Sequence, residues 1–226
     1  GLLWLGRGRL VVEDGTLHFI TAGGGDLASG DYTIPFQTVS CILLGPGGTV
    51  SHDALRLLAR HGTGLFIVGE SGIRSYAAFL PFGPGHSTLA RTQARLWADP
   101  EKRIDVARRM YAWRLGEVLP STSIEALRGI EGARMKETYR RLAESHGIKW
   151  YGRKYDRQNP ESDDIPNQAI NHAATAVEAA ALIATAATGA IPSLGFIHED
   201  ASISFPLDIA DLFRHSHTIP IAFRAA

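Results

Sequence analysis

Cysteine is nearly absent: Cys41 is the only one in 226 residues. That excludes an intrachain disulfide framework and a thiolate metal cage, and it fits a reducing, cytoplasmic setting. No run of 18 apolar residues is free of polar breaks, and no basic leader followed by an apolar run opens the sequence. Neither a membrane span nor a secretion signal is therefore expected. Net charge is missing as well, with 23 Lys and Arg against 23 Asp and Glu. On totals alone, a protein held to nucleic acid by bulk charge is disfavoured. Internal repeats are lacking too. What is present, 45% hydrophobic and 20% charged residues, is the composition of a folded soluble chain of one or two domains.

Read by region, the neutrality breaks up. Residues 1–99 balance at seven charges of each sign, residues 100–157 carry fourteen cations against eight anions, and residues 158–226 carry two against eight. A basic block is cancelled by an acidic one. Glycine is uneven as well, with 17 of 24 in residues 1–99. Turn-dense sequence with short β-branched runs reads as sheet, and the glycine-poor remainder as helix. The expected fold is α+β: a small N-terminal β-rich, sandwich-like domain (1–80), a linker (81–86), and a larger all-α domain (87–226).

Strands are expected at Leu10–Val12, Leu17–Ile20, Tyr32–Ile34, Val39–Leu44, Leu65–Val68 and Ile73–Ala77, with a hairpin at Asp14-Gly15. Gly23-Gly24-Gly25 reads as a further hairpin or loop. A helix capped by Ser51 spans about His52–His61, presenting Leu55, Leu58 and Ala59. Further helices are expected from Ser87 to Trp97 and from Asp99-Pro100 to Gly116. Another runs from a Thr122/Glu125 capping box to Gly147, and an Ala-rich one runs from Asp164 to Gly189. The last is apolar almost all round, which predicts burial; its Asn167, Gln168, Asn171, His172 and Glu178 argue against a membrane span.

Three anomalies point to chemistry. Glu131, between Gly129 and Gly132, interrupts an inward stripe of Leu127, Met135 and Leu142. A carboxylate on such a face needs a partner or a metal. Arg128 and Arg134, three residues to either side, are candidate partners, and a helix-packing glycine pair with an Arg–Glu bridge is the purely structural reading. Gly195-Phe196-Ile197-His198 ends an apolar run on a histidine, and such a histidine, taken singly, is more often a satisfied core or loop residue than a ligand. Asp208 and Asp211 lie one turn apart on one helical face, where two anions repel unless a cation or a proton relieves them. A solvated helix N-terminus explains them equally.

Taken together, Glu131, His198 and Asp211 form a hard-cation donor set, with Asp208 beside it as a fourth or supporting catalytic candidate. Two carboxylates and an imidazole suit Mg²⁺ or Mn²⁺. Such an ion polarises a phosphodiester, and a neighbouring basic block would hold phosphates. Arg134 belongs to that block. In Lys149-Trp150-Tyr151-Gly152-Arg153-Lys154-Tyr155, cations alternate with aromatics. That mixture suits DNA contact through Arg153, Lys154 and Tyr155, or a hairpin packed on the helices.

The joint pattern resembles the CRISPR-associated spacer integrase family (Cas one), most closely its Cascade-linked I-E subtype. Leu127-Arg128-Gly129-Ile130-Glu131-Gly132, Gly195-Phe196-Ile197-His198 and Asp208-Ile209-Ala210-Asp211 carry the resemblance, in that order. Val50-Ser51-His52, Val68-Gly69-Glu70, Gly152-Arg153-Lys154-Tyr155-Asp156 and Asn167-Gln168 match as well, and coverage runs from about Gly8 to Phe223. The resemblance implies a homodimer formed largely through β domains, and a Mg²⁺ or Mn²⁺ site of Glu131, His198 and Asp211 with Asp208 adjacent. It also implies assembly with the Cas two protein, and insertion of short DNA fragments into a CRISPR repeat by transesterification, without ATP. Arg56, Arg74 and Arg128 match positions along the DNA path. Glu178 stands where relatives have a tyrosine, Pro160 replaces a family aromatic, and the subtype's C-terminal tail would extend past Ala226. Two other readings stand beside this one: a metal-dependent nuclease for branched DNA, and a catalytically silent DNA-binding assembly subunit.

Overall fold

The computed structural model describes residues 1–24, 27–80, 87–120, 123–154 and 164–226. It has the expected α+β class, with two four-stranded sheets followed by helices. Contacts divide the chain into two compact units, Gly1–Leu89 with Ile183–Ala190, and Ala90–Leu182 with Ile191–Ala226. The expected linker at 81–86, Gly25, Thr122, Tyr155 and Pro160 lie outside the described residues.

In the first unit, β2 (Gly8–Glu13), β3 (Thr16–Thr21) and β4 (Gly30–Ile34) form an antiparallel meander, and β6 (Gly48–Val50) joins β2 in parallel. Asp14 (φ 46°) and Gly15 (φ 76°) both take the left-handed conformation that a two-residue hairpin turn requires, as the sequence predicts. The second sheet orders β1 (Leu2–Leu5), β5 (Cys41–Leu44), β7 (Gly64–Val68) and β8 (Ser75–Phe79), parallel except for the β7/β8 pair. The last strand starts two residues later than expected, because Ser71 and Gly72 turn through positive φ and Ile73 is helical. Helix α1 (His52–His61) is capped by Ser51, whose Oγ accepts from the Ala54 N–H, and buries Ala54 and Leu58. These pack with Leu10, Leu17, Phe19, Ile42 and Leu65 in one apolar core.

The second unit is helical. Helix α2 (Thr88–Trp97) precedes α3 (Pro100–Leu115), which is capped by Asp99 and closed by left-handed Gly116. Helix α4 (Ile124–His146) begins on Ser123, one residue after the expected Thr122 cap, and ends at left-handed Gly147. Its buried stripe is Leu127, Met135, Tyr139 and Ala143, with half-buried Glu131 in line.

Helix α5 (Ile165–Thr188) is capped by Asp164, whose Oδ1 accepts from the Asn167 N–H. Contrary to the burial its composition predicts, most of it is half-buried, with full burial at positions such as Asn167, Ile170 and Ala181. Among the described residues it is the one helix with the length and mean hydropathy (1.2) of a membrane-crossing segment. Helix α6 (Ser204–Leu212) passes through a π-helical turn (Arg214–Thr218) into α7 (Ile219–Ala225). Two apolar clusters hold this unit, one around Tyr111, Leu127 and Phe196 and one around Tyr139, Ile170 and Phe223.

Candidate metal and nucleic-acid site

Four elements of the helical unit converge on one ion-pair cluster. Arg114 closes an inward stripe on α3 that begins with Ala107, Met110 and Tyr111, and its side chain is only 3% exposed. From there Nη2 donates to Glu131 Oε1 of α4 at 2.6 Å, and Nη1 donates to Asp211 Oδ2 of α6 at 3.2 Å. Its Nε meets His215 Nδ1 of the π turn at 3.2 Å. Asp211 Oδ1 accepts from Arg214 Nη1 at 3.1 Å. One guanidinium thus ties together two of the three expected ligands, and both oxygens of Asp211 face arginines.

This corrects the expected pairing of Glu131. Arg128 instead donates to the Ile197 carbonyl, and Arg134 bridges to Glu117. Nor do the flanking glycines pack a helix: a Cβ at Gly129 or Gly132 would meet nothing within 4 Å. The surface beside Glu131 is open.

Asp208 plays a different part from Asp211. It is fully buried, and its carboxylate accepts from the N–H groups of Phe196 (2.5 Å), Ile197 (3.0 Å) and His198 (3.0 Å), and pairs with His198 Nδ1 at 2.7 Å. The two aspartates one turn apart are therefore relieved by separate partners. Asp208 fixes the loop and the imidazole, and the hydrogen bond it offers raises the His198 pKa. With Nδ1 turned to Asp208, Nε2 is left as the ligand atom, which is how a carboxylate commonly orients a metal-binding histidine. The loop needs its glycine, since a Cβ on Gly195 would sit 2.3 Å from the His198 carbonyl oxygen.

Glu178 of α5 joins the same neighbourhood: burial, then the negative charge of Asp211, raises its pKa. Tyr111 is pushed up to about 12 by burial and by Glu131. Beside Glu131 a cleft of about 510 Å³ opens, lined by Gly132, Lys136, Tyr139, Trp150 and Arg214 among others. The Trp150 ring packs, tilted, within 5.3 Å of those of both Tyr139 and Phe223, whereas Tyr151 is exposed. The basic–aromatic segment is thus split between packing and solvent. Arg153 donates to Asn167 Oδ1 (2.9 Å) and Asn171 Oδ1 (2.5 Å), anchoring the segment to α5, and the Lys154 side chain is exposed. Arg56, paired with Asp53, and Arg74 lie exposed in the β-rich unit.

The donor chemistry of Glu131, Asp211 and Asp208-oriented His198 fits a hard divalent cation. Their ligand atoms are not drawn to a single point. Among the described residues, the one group of three whose ligand atoms all lie within 4.8 Å is Glu13, His18 and Asp31, on the meander. Sequence reasoning missed Arg114, Arg214 and His215. The stripe Ala107, Met110, Tyr111, Arg114 was the available signal for the first, and the i, i+3 spacing from Asp211 for the second.

His215 gives the cluster a pH signature. Burial first, then the charges of Arg114 and Arg214, lower its pKa to about 4. Between pH 6.5 and 4 the unfolded chain takes up a proton that the folded chain refuses. Stability present above pH 6.5 should therefore be lost as pH falls toward 4. Thermal midpoints across that window should fall more steeply for the wild type than for His215→Asn; parallel curves would refute the assignment.

The molecule thus combines a two-sheet β-rich unit with a helical unit that bears carboxylates and an imidazole among arginines. Comparison with known proteins narrows it. The family described as CRISPR associated protein Cas1 matches residues 3–119 and 111–225. The CRISPR-associated endonuclease Cas1 of Escherichia coli (strain K12) is 39% identical over 226 residues, covering 100% of this chain and 72% of that protein. Its namesake from Geobacter sulfurreducens shows the same identity and coverage. A solved TtCas1–DNA complex superposes with a TM-score of 0.86 at 34% identity, covering 99% of this chain and 81% of that one. The chain belongs to the CRISPR associated protein Cas1 family.

Proposed function

We propose that the chain is a metal-dependent DNA integrase and endonuclease of CRISPR adaptation, working in the cytoplasm as a homodimer together with the Cas two protein. The observation that carries this reading is the joining of Glu131 and Asp211 through Arg114, beside a histidine oriented by Asp208, in a chain of this family. Relatives named endonucleases and a relative solved with DNA support the chemistry and the substrate.

In this reading Glu131, His198 and Asp211 hold Mg²⁺ or Mn²⁺, which when bound polarises the scissile phosphodiester and offsets charge on its oxygens. Asp208 is a positioning residue that holds the imidazole in the tautomer with Nε2 unprotonated. The open face of Gly129 and Gly132 lets a strand approach the helix beside Glu131, and exposed Arg128, Lys136 and Lys154 meet its phosphates. Arg134, Arg153, Arg56, Arg74 and Tyr155 extend the candidate DNA contacts. The reaction is an exchange: a fragment's 3′-hydroxyl gives up its proton as its oxygen bonds to a repeat phosphorus, the P–O3′ bond of the repeat breaks, and the displaced O3′ takes up a proton, with none consumed overall. One phosphodiester replaces another, so no nucleotide cofactor is consumed.

The test is transfer of a labelled DNA fragment into a repeat-bearing plasmid, with Mg²⁺ or Mn²⁺ and Cas two present. Product that persists under chelation would overturn metal dependence. Cleavage of branched DNA without Cas two, and no transfer with it, would favour the branched-DNA nuclease. The local basic surface further predicts that DNA affinity falls steeply with salt, with a log–log slope of about −0.9 per neutralised phosphate. Lys136→Ala and Lys154→Ala should each make that slope shallower by about 1. A flat salt dependence would count against the basic surface as the DNA contact.

A further inference from the structure

The cation that the carboxylate pair already holds is Arg114. All three of its guanidinium nitrogens are engaged, by Glu131, Asp211 and His215, and the side chain is shut from water at 3% exposure. Arg214 meets the other oxygen of Asp211. Two carboxylates therefore face two guanidiniums, and the cluster is formally neutral before any metal arrives. A divalent ion entering it must displace or endure cations that carboxylate-rich sites ordinarily lack.

We propose that Arg114 is the resident counter-cation of the site: it keeps divalent-metal affinity low in the DNA-free protein, and the negative phosphates of bound DNA relieve that opposition. This rests on the metal reading of Glu131, His198 and Asp211. It makes metal and DNA mutually dependent ligands, since whatever DNA adds to metal affinity, metal must add to DNA affinity. The DNA-free protein would carry little metal, and unguided phosphodiester cleavage would be restrained.

The alternative role for the same geometry is preorganisation, in which Arg114 holds two ligands at a useful spacing and its loss weakens metal binding. The two roles have opposite signs. Mn²⁺ binding to the full chain, followed by electron paramagnetic resonance, separates them. Arg114→Met, uncharged and of similar length, should bind Mn²⁺ about tenfold or more tighter than wild type without DNA, and adding Glu131→Gln should abolish the gain. A short duplex should tighten Mn²⁺ binding to wild type more than to Arg114→Met. Should Arg114→Met fold only with Mn²⁺ present, that dependence reads the same way. Arg114→Lys, which keeps a charge without the fork, should then show a smaller gain of about threefold.

Mn²⁺ binding to wild type that is equalled or weakened in both variants overturns the counter-cation role and leaves the metal reading standing. Absence of Mn²⁺ binding in every protein, with and without DNA, overturns both.

Discussion

Asp208→Ala is expected to destabilise the protein by about 3–5 kcal/mol, although Asp208 stands outside the proposed ligand set. Its carboxylate is the common acceptor for three backbone N–H groups and an imidazole nitrogen. Each buried donor left without an acceptor costs about 1–3 kcal/mol, and breaking a buried charged pair costs about 3–5 kcal/mol. These costs overlap because they share one carboxylate, and the smaller side chain leaves room for a water to take over part of its bonding, so the total stays well below their sum. For a chain of this length that is a fall of roughly 6–20 °C in thermal midpoint. Asp208→Asn keeps the shape and one good acceptor, and should fall between. A loss below about 1 kcal/mol for alanine would mean that the loop at 196–198 is held by something other than this carboxylate.

Glu131→Gln is expected to do the reverse, sparing the fold and removing the activity. The amide oxygen still accepts from Arg114, and Arg114 retains Asp211, so the stability change should stay within about 1–2 kcal/mol. A ligand charge is lost, and strand transfer should drop by about 100-fold or more, since disturbing even outer groups around a metal typically costs 10–100-fold. Arg140→Ala is the matched control. Arg140 pairs with Glu137 and Glu144 on the exposed face of the same helix, and such pairs contribute little. Undiminished transfer by Glu131→Gln would remove it from the ligand set.

Local rules carried most of the fold. The Asp14-Gly15 hairpin and the caps at Ser51, Asp99, Gly116 and Gly147 depend on a few adjacent residues, and each stands where those residues place it. Strands β1 and β6 escaped notice for the opposite reason. Leu2–Leu5 is a continuous apolar run without alternation, and Gly48–Val50 is only three residues long. Both are strands because of parallel partners distant in the chain, β5 and β2.

The site divides along the same line. Glu131, His198, Asp208 and Asp211 were legible as residues out of keeping with their surroundings. The partner of Glu131 was not, because helical spacing relates a residue only to neighbours at i±3 and i±4 on its own helix. The cation that meets it comes from α3, where an arginine on an apolar stripe reads most simply as a stem lying along the surface. The differing tasks of Asp208 and Asp211 also depend on the loop at 196–198 folding back, which helical spacing alone does not encode.

That difference in range bears on the order in which the site can be built. The histidine arm closes over 10 to 12 residues, from Asp208 back to Phe196 and His198. The Arg114–Asp211 contact closes over 97. For flexible chains the longer closure costs about 2 kcal/mol more in chain entropy, and contacts of high sequence separation form late. The pairing that orients the imidazole asks for only the short closure between Asp208 and His198. The carboxylate pair exists only once α3, α4 and α6 have docked, so the two anions come together only when the arginine that neutralises them arrives as well.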